Sequence, residues 1–283
     1  MSQTILISGA SSGIGRCCAL GLKARGYRVF AGVRRQEDLQ HLQALGLESI
    51  YLDVNDTVSI KNAVNNVLEK TQGKLDFLFN NAGYGQSGAV EDLSRDAIRA
   101  QFETNVFGLI ELTNHIIPIM RQQGHGRIVN TGSILGIITL PYRGAYNASK
   151  FALEGFTDTL RQELSDTNIS VSLLEPGPIL SKFRDNAYIN YLRTINTKQS
   201  PHRKNYENII KRLQKQKGPD PFTQPPEAVL KKLIHALENP RPKIRYYITV
   251  PSYFLSTLKR LLPARAMDWV LKKISAGEIQ RHN

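Results

Sequence analysis

Hydrophobic positions in the first 180 residues follow two alternating periods. Short apolar or β-branched runs, typical of buried strands, are each followed by a stretch whose apolar residues recur at helical spacing. This alternation predicts parallel β-α-β units and an α/β fold with a doubly wound parallel sheet. The expected strands are 4–8, 28–33, 48–52, 76–80, 126–131 and 169–175, and the expected helices lie near 13–25, 35–45, 57–72, 97–123 and 144–166.

The alternation of strand and helix patterns stops after residue 180. Residues 181–218 are basic and rich in Asn, and they end at Gly218-Pro219. A helix over 227–238 and a last strand over 244–250 restore the pattern, and 251–275 is helical in pattern with a break at Pro263. We therefore predict one catalytic domain over 1–250 and a C-terminal helical extension over 251–283.

Composition places the chain among ordinary globular proteins. Of 283 residues, 41% are hydrophobic and 22% are charged. No apolar run approaches the roughly 18 residues that a membrane-spanning helix needs, and no secretory leader is visible. The two cysteines, Cys17 and Cys18, are adjacent and form neither a disulfide framework nor a metal site. A cytoplasmic location without a metal is expected.

The net charge of +13 is unevenly distributed. Residues 181–218 carry +8 and residues 241–283 carry +7, whereas the remainder of the chain carries −2. A near-neutral domain with basic attachments is unlike a protein that coats nucleic acid, and no nucleic-acid motif is present. We expect no nucleic-acid partner.

A glycine-rich turn joins the first strand to the first helix. Ser8-Gly9-Ala10-Ser11-Ser12-Gly13-Ile14-Gly15 lets the backbone approach a pyrophosphate at the positive end of that helix. The second strand ends in Val33-Arg34-Arg35, and no acid occurs from Gly26 to Gln36. A carboxylate here would favour NAD, whereas an arginine suits the 2′-phosphate of NADP.

Tyr146 and Lys150 lie four residues apart on one face of a predicted helix. An ammonium beside a phenol stabilises the phenolate, lowers the phenol pKa and so makes it a usable acid or base. Ser133 follows the fifth strand, at the edge where open α/β sheets bind ligands.

These motifs together resemble the short-chain dehydrogenase/reductase family over residues 4 to about 182. The pattern consists of Ser8-Gly9-x-x-x-Gly13-x-Gly15, Asn80-Asn81-Ala82-Gly83, Asn105, Ser133 and Tyr146-x-x-x-Lys150. The details are most similar to the branch of 17β-hydroxysteroid and retinol dehydrogenases and bacterial NADPH-dependent aldehyde reductases. That likeness rests on Val33-Arg34-Arg35, Glu175-Pro176-Gly177-Pro178-Ile179 and Lys259-Arg260-Leu261-Leu262-Pro263.

The resemblance implies a Rossmann-type fold, with 181–218 as a variable lid, and assigns catalytic roles. Tyr146 would be the general acid that protonates a carbonyl oxygen as hydride arrives from the nicotinamide. Lys150 would lower the pKa of Tyr146 and bond the ribose, Ser133 would position the substrate oxygen, and Asn105 would hold a water that relays protons to Lys150.

The resemblance also implies an NADP(H) site, in which Ser12 and Arg34 would contact the 2′-phosphate. Two positions depart from the family pattern, since Ser8 and Ser181 stand where threonine is usual. The cofactor-binding residues would be Gly9, Ser11, Ser12, Gly13, Ile14, Gly15, Arg34, Arg35, Asp53, Val54, Asn80, Ala82, Gly83, Tyr146, Lys150, Pro176, Gly177, Ile179 and Ser181.

Apolar residues in the lid and near the predicted active edge favour a lipophilic aldehyde, ketone or alcohol as substrate. An enzyme that uses NADP(H) would reduce the carbonyl. The alternative for these residues is that they pack the lid itself. They are Tyr84, Leu135, Ile138, Leu140, Pro141, Ile179, Leu180, Phe183, Tyr188, Ile189, Tyr191 and Leu192.

Other functions and partners remain open at this stage. A non-catalytic NADP(H)-binding sensor or scaffold on the same fold is the alternative to an enzyme, although Ser133, Tyr146 and Lys150 are all intact. The resemblance implies a homodimer or homotetramer packed through the helices near 97–123 and 144–166. The basic, apolar tail would either contact an anionic membrane or dock on the protein's own fold.

Overall fold

The sheet has seven parallel strands. The computed structural model describes residues 2–214 and 221–276. The strand order is β3-β2-β1-β4-β5-β6-β7, so the chain reverses its direction of winding between β1 and β4. Open sheets bind ligands at such a switch point, outside the carboxyl ends of the strands. The strands are β1 (Thr4–Ser8), β2 (Arg28–Val33), β3 (Glu48–Tyr51), β4 (Phe77–Asn80), β5 (Gly126–Thr131), β6 (Ile169–Glu175) and β7 (Arg245–Tyr247).

Helices cover both faces of the sheet, which explains why its strands are apolar almost throughout. In β1, Ile5 and Ile7 face one buried core and Leu6 faces the other. The doubly wound α/β fold is therefore as predicted. The helices are α1 (Gly13–Ala24), α2 (Gln36–Ala44), α3 (Thr57–Thr71), α4 (Arg95–Phe102), α5 (Gly108–Gln123), α6 (Gly144–Glu163), α7 (Phe183–Thr194), α8 (Arg203–Leu213), α9 (Glu227–Glu238), α10 (Val250–Leu261) and α11 (Ala264–Ile274).

Two predicted elements differ from the structure. The helix expected near 97–123 begins at Arg95 and contains one wider π-helical turn, Glu103–Phe107, between α4 and α5. The last strand covers only Arg245–Tyr247 of the expected 244–250. Pro251 explains the early end, since proline fits the first turn of a helix and α10 already begins at Val250.

The lid and the tail are helical and pack against the domain. Helices α7 and α8 form a small apolar core around Tyr191, Tyr206 and Ile209. Helices α10 and α11, divided at Pro263 as predicted, pack Leu255 and Met267 near the loop that follows Ser133. Residues 215–218 of the predicted lid and 277–283 of the predicted extension lie outside the described residues. No helix in the described residues is long and apolar enough to cross a membrane.

Candidate active site

The glycine-rich turn after β1 is formed by close backbone packing. Gly9 has a φ of +68°, and a Cβ there would lie 2.7 Å from the Cα of Ala82. A Cβ on Gly15 would lie 2.2 Å from the Gly9 carbonyl oxygen. A larger residue at either position would push the turn away from Ala82 in the loop that follows β4. The glycines therefore keep the backbone of the turn next to the switch point.

The first turn of α1 fits a pyrophosphate. Ser12 is the N-cap residue, but its side chain makes no capping hydrogen bond, and the first turn contains no acidic residue. The first backbone N–H groups of a helix have no partner within the helix and attract anions. Ser11, Gly13 and Ile14 belong to the same turn, so the predicted cofactor loop suits the diphosphate of a dinucleotide.

Asn81, which the sequence analysis did not assign, holds this turn in place. Its side-chain amide donates to the carbonyl oxygens of Ser8 and Gly9 at 3.2 and 3.1 Å. In return, the Ser8 hydroxyl accepts from the backbone N–H groups of Asn81 and Ala82 at 3.0 and 3.1 Å. Serine therefore supplies the hydroxyl contact at the position where threonine is usual.

Asn80, which is expected to line the cofactor, is buried at the end of β4. Its amide donates to Thr113 at 2.8 Å and to Asn130 at 2.9 Å, and so ties β4 to α5 and β5. Gly83, in contrast, is exposed at the cleft. The side-chain oxygen of Asn105 lies 3.2 Å from where a Cβ on Gly83 would stand, so a larger residue here would press on Asn105.

The two arginines after β2 have different environments. Arg35 forms a two-point ion pair with Asp38, with nitrogen–oxygen distances of 2.7 and 3.0 Å. Arg34 is exposed and forms no ion pair within residues 2–214 and 221–276. It is close enough to Tyr84 to oppose the rise in the Tyr84 pKa that burial causes. Arg34 is thus the arginine that remains open to a phosphate.

Asp53 and Val54 follow β3 at the same edge of the sheet. The Asp53 carboxylate accepts a hydrogen bond from the Asn55 backbone N–H at 3.0 Å. Val54 is buried, and its carbonyl oxygen would lie 1.8 Å from a Cβ on Gly108. Val54 therefore packs directly on the first residue of α5, beside the cleft in which an adenine ring is expected.

Ser133, Tyr146 and Lys150 come together at the carboxyl edge of the sheet, and all three are buried. A hydrogen bond joins the Ser133 hydroxyl to the Tyr146 phenol. The Lys150 ammonium donates to the Thr131 carbonyl oxygen at 2.6 Å and lies 5.8 Å from the centre of the Tyr146 ring. Three of the four side chains predicted to be catalytic thus form one cluster.

The pKa values of this cluster differ from the sequence expectation. Burial raises the pKa of Tyr146 to about 12, although its hydrogen bond with Ser133 acts in the opposite direction. Burial also lowers the pKa of Lys150 to about 8. Lys150 was expected to lower the pKa of Tyr146, but desolvation and the charge of Glu175 raise it here, and only the hydrogen bond with Ser133 acts to lower it. The phenol is therefore protonated at neutral pH, as a proton donor must be.

Asn105 lies in the π-helical turn between α4 and α5. Its side chain exchanges two hydrogen bonds with the Tyr84 backbone, at 3.1 and 3.0 Å, and donates to Ser149 at 3.1 Å. The Ser149 hydroxyl donates to the Tyr146 carbonyl oxygen at 2.8 Å. The wider turn thus links the β4 loop to α6, and Ser149 is a link that sequence reasoning missed.

The segment after β6 covers the opposite side of the cleft. Pro176 is buried, and a Cβ on Gly177 would lie 2.1 Å from the Thr249 hydroxyl. Ile179 packs against the core beside α1, and the Cβ of Ser181 would lie 2.9 Å from a Cβ on Gly13. The expected residues of this segment therefore lie against the glycine-rich turn.

The lid places an aromatic ring over the catalytic cluster. Phe183, the first residue of α7, stands edge-on to the Tyr146 ring with 5.4 Å between ring centres. The same ring approaches Gly85, where a Cβ would lie 2.7 Å from it. Tyr191 and Tyr188 pack the lid itself, whereas Leu180, Ile189 and Leu192 remain exposed. The alternative that lid residues pack the lid itself therefore holds for Tyr188 and Tyr191, and contact of the exposed residues with a substrate stays a prediction.

Two acidic residues near the cluster were missed by the sequence analysis. Glu175 is fully buried at the end of β6, and Glu154 lies one turn beyond Lys150 on α6. Glu175 had a signal in the sequence, since it is the one charged residue of β6. Among the described residues, no group of three or more His, Cys, Asp or Glu side chains could hold a metal ion.

Comparisons with known proteins agree with this architecture. A family model for short chain dehydrogenases matches residues 3–191. The uncharacterized oxidoreductase YbbO of Escherichia coli strain K12 is 40% identical over 272 residues, or 96% of this chain and 95% of the relative. Human retinol dehydrogenase 8 is 32% identical, covering 91% and 85% of the two chains. Human 17-beta-hydroxysteroid dehydrogenase type 1 is also 32% identical, covering 88% and 78%.

Solved structures show the same fold. A short-chain dehydrogenase from Streptomyces avermitilis matches with a TM-score of 0.78 and 29% identity, over 98% of both chains. A Burkholderia phymatum short chain dehydrogenase/reductase in complex with NAD matches with a TM-score of 0.76 and 26% identity, over 96% and 95%. An actinorhodin polyketide ketoreductase with NADPH matches with a TM-score of 0.72 and 27% identity, over 89% and 97%. This chain belongs to the short-chain dehydrogenase/reductase family of oxidoreductases.

Proposed function

We propose that this protein is an NADP(H)-dependent oxidoreductase that reduces a lipophilic carbonyl compound to an alcohol by hydride transfer. The observation that carries the proposal is the cluster of Ser133, Tyr146 and Lys150 beside an uncapped helix N-terminus at the switch point of the sheet. A proton donor, a cation and an anion-binding turn at one edge are the parts that such a reaction needs.

The chain's own residues would handle the proton. When bound, the reduced nicotinamide supplies the hydride, whose electron pair forms the new C–H bond as the C=O π bond breaks. The Tyr146 hydroxyl then gives its proton to the carbonyl oxygen, and the Ser133 hydroxyl holds that oxygen by a second hydrogen bond. The Lys150 ammonium stabilises the resulting phenolate, and its position also suits a ribose hydroxyl.

The preference for NADP(H) rests on charge at the end of β2. Arg34 is exposed and forms no ion pair with any residue that the structure describes, while Arg35 is held by Asp38. No carboxylate stands nearby on this strand to accept a ribose 2′-hydroxyl. A guanidinium that faces a 2′-phosphate forms a charge-assisted bond, which favours the phosphorylated cofactor.

The substrate class rests on the surface of the lid and on the relatives. Phe183 lies against Tyr146, and three apolar side chains in or directly before the lid, Leu180, Ile189 and Leu192, are exposed. Two relatives are named for retinol and a hydroxysteroid, both lipophilic alcohols. We infer a retinoid- or steroid-like aldehyde or ketone, or a similarly apolar carbonyl compound.

A carbonyl panel tests the proposal. Oxidation of NADPH and of NADH would be followed spectrophotometrically with aliphatic, aromatic, retinoid and steroid carbonyls, alongside Tyr146→Phe as the inactive control. We expect NADPH-dependent turnover that increases with the apolar character of the substrate. Binding of NADPH without turnover of any carbonyl would contradict the proposal and favour a cofactor-binding sensor or scaffold.

A further inference from the structure

A buried carboxyl group lies directly behind the catalytic cluster. Glu175 is the last residue of β6 and is fully buried. Its two carboxyl oxygens lie 2.9 and 2.7 Å from where a Cβ on Gly132 would stand. Gly132 immediately precedes Ser133, so Glu175 fills the space beneath the loop that presents the catalytic serine.

The surroundings of Glu175 suit an acid better than a carboxylate. Among the described residues, no donor reaches either Glu175 oxygen, or the Oε1 atom of Glu154, at full hydrogen-bond geometry. The Ser133 backbone N–H is nevertheless close enough to favour the carboxylate form of Glu175. An ionised carboxylate that is buried without donors is strongly unfavourable. Two carboxyl groups within reach of each other are both satisfied when they share one proton, because the acid donates to the carboxylate.

Arg245 decides which of the two carries the charge. It donates to the Oε2 atom of Glu154 at 3.0 and 2.6 Å, and to Asp158 at 2.6 Å. Glu154 is therefore the ionised partner. Burial raises the pKa of Glu175 well above its usual range, and the hydrogen bond and negative charge of Glu154 add to the rise. Arg245 and the Ser133 backbone N–H act in the opposite direction without cancelling it.

The charge state of Glu175 matters to the reaction because Tyr146 and Lys150 both face it from α6. A negative charge on Glu175 would raise the pKa of Tyr146 and the pKa of Lys150. The same negative charge would partly neutralise the field of the Lys150 ammonium, so that Lys150 would stabilise a developing Tyr146 phenolate less. A neutral Glu175 avoids both effects while still filling the space under Gly132.

We propose that Glu175 is a positioning residue that is kept as a neutral carboxylic acid. It donates its proton to Glu154, which Arg245 anchors, and it supports the Gly132-Ser133 turn from below. Its neutrality leaves the positive charge of Lys150 uncompensated beside Tyr146. The effect on turnover rests on the proposed function, whereas the protonation state of Glu175 does not.

Infrared spectroscopy of the full chain without substrate reads the protonation state. A protonated carboxyl group has a C=O stretch at higher frequency than a carboxylate. We expect an acid band at neutral pH that Glu175→Gln removes and that Glu163→Gln, at an exposed position at the end of α6, leaves unchanged. In Glu154→Gln the band should titrate at lower pH, because both contributions of Glu154 to the Glu175 pKa are gone. This second variant keeps the test decisive if Glu175→Gln does not fold.

The pH dependence of kcat separates positioning from mere packing. Glu175→Gln introduces a neutral and nearly isosteric side chain, so kcat should stay within about threefold of the parent value. The fall in kcat at alkaline pH should occur at the same pH as in the parent protein. Glu154→Gln lets Glu175 ionise, and the negative charge should shift the alkaline fall in kcat to a pH roughly one unit higher. The double variant should return it to the parental position, because the charge is removed again.

Two results would overturn the proposal. One is the absence of an acid band at neutral pH. The other is a Glu175→Gln variant that binds NADPH but loses turnover, since Glu175 would then act as a carboxylate. An acid band in a protein that reduces no carbonyl would contradict the proposed function alone.

Discussion

The ring of Phe183 stands edge-on to the ring of Tyr146, with 5.4 Å between their centres. The first residue of α7 thus covers the proposed proton donor and contributes to its burial. Burial raises the pKa of the Tyr146 phenol to about 12, above that of an ordinary phenol, which is already protonated at neutral pH. The lid is therefore part of the chemistry of the site as well as its wall.

Phe183→Ala should weaken the reduction of lipophilic carbonyls. Loss of one aromatic wall should reduce kcat/KM by about tenfold for apolar substrates and by less for small polar ones. Steady-state kinetics with one substrate of each kind would measure this. Leu45→Ala is a matched control, because Leu45 is 40% exposed and Phe183 39%, and Leu45 lies at the end of α2. Equal losses for both substrates would contradict a role in substrate contact.

Arg34→Ala should change the cofactor preference. A lost charge-assisted contact should weaken NADPH binding roughly 10- to 100-fold and leave NADH nearly unchanged. Arg35→Ala is the internal control, because Asp38 already occupies Arg35, and it should affect both cofactors little. Calorimetric titration with each cofactor distinguishes the variants. Similar losses of NADPH and NADH affinity in Arg34→Ala would refute the assignment of the 2′-phosphate contact.

The sequence predicted the sheet and the catalytic cluster because both depend on local signals. Apolar alternation located the strands, and Tyr146 and Lys150 are neighbours on one helix face. The Glu175–Glu154–Arg245 network was not predictable, because it forms only when β6, α6 and β7 are assembled. The different roles of Asn80 and Asn81 were not predictable either. The Asn80 side chain donates to Thr113 on α5, whereas the adjacent Asn81 side chain donates to the glycine-rich turn. The sequence pattern alone could not show that Asp38 forms its ion pair with Arg35 and leaves the Arg34 guanidinium available to a phosphate.

We propose that the protein associates through α5 and α6 into a homodimer or homotetramer. Phe107 precedes α5, Phe151 and Phe156 lie on α6, and all three are large apolar side chains exposed to solvent. Exposed aromatic residues on adjacent elements are typical of interfaces. Phe156→Glu should weaken association at least about tenfold, and Leu45→Glu should not. Light scattering after gel filtration measures both, and a monomeric parent protein would contradict the proposal.

The tail is proposed to make peripheral contact with anionic membranes through its outer face. Its inner face packs on the domain through Leu255, Met267 and Leu271, so docking on the protein's own fold accounts for one side of each helix. The outer face exposes Phe254 and Trp269, together with basic residues that match an anionic surface. These basic residues are Lys259, Arg260, Arg265, Lys272 and Lys273.

Trp269 reports on this contact directly, because it is the single tryptophan of the chain and is 60% exposed. Vesicles that contain phosphatidylserine should shift its emission to shorter wavelength at low salt, and neutral vesicles should not. High salt should reverse the shift, since screening weakens the attraction between basic side chains and anionic lipid. An emission spectrum that is unchanged by either vesicle type would leave the tail as a packed part of the fold.

The most direct test of the proposed function is a comparison of the parent protein with Tyr146→Phe. The variant keeps the ring that contacts Phe183 and loses only the hydroxyl, so the fold and NADPH affinity should be retained. Loss of a positioned general acid lowers turnover by about 10²- to 10⁴-fold. The account predicts NADPH-dependent reduction of an apolar carbonyl by the parent and a loss of this size in kcat for the variant. A Tyr146→Phe variant that binds NADPH and reduces the carbonyl at the parental rate would contradict it.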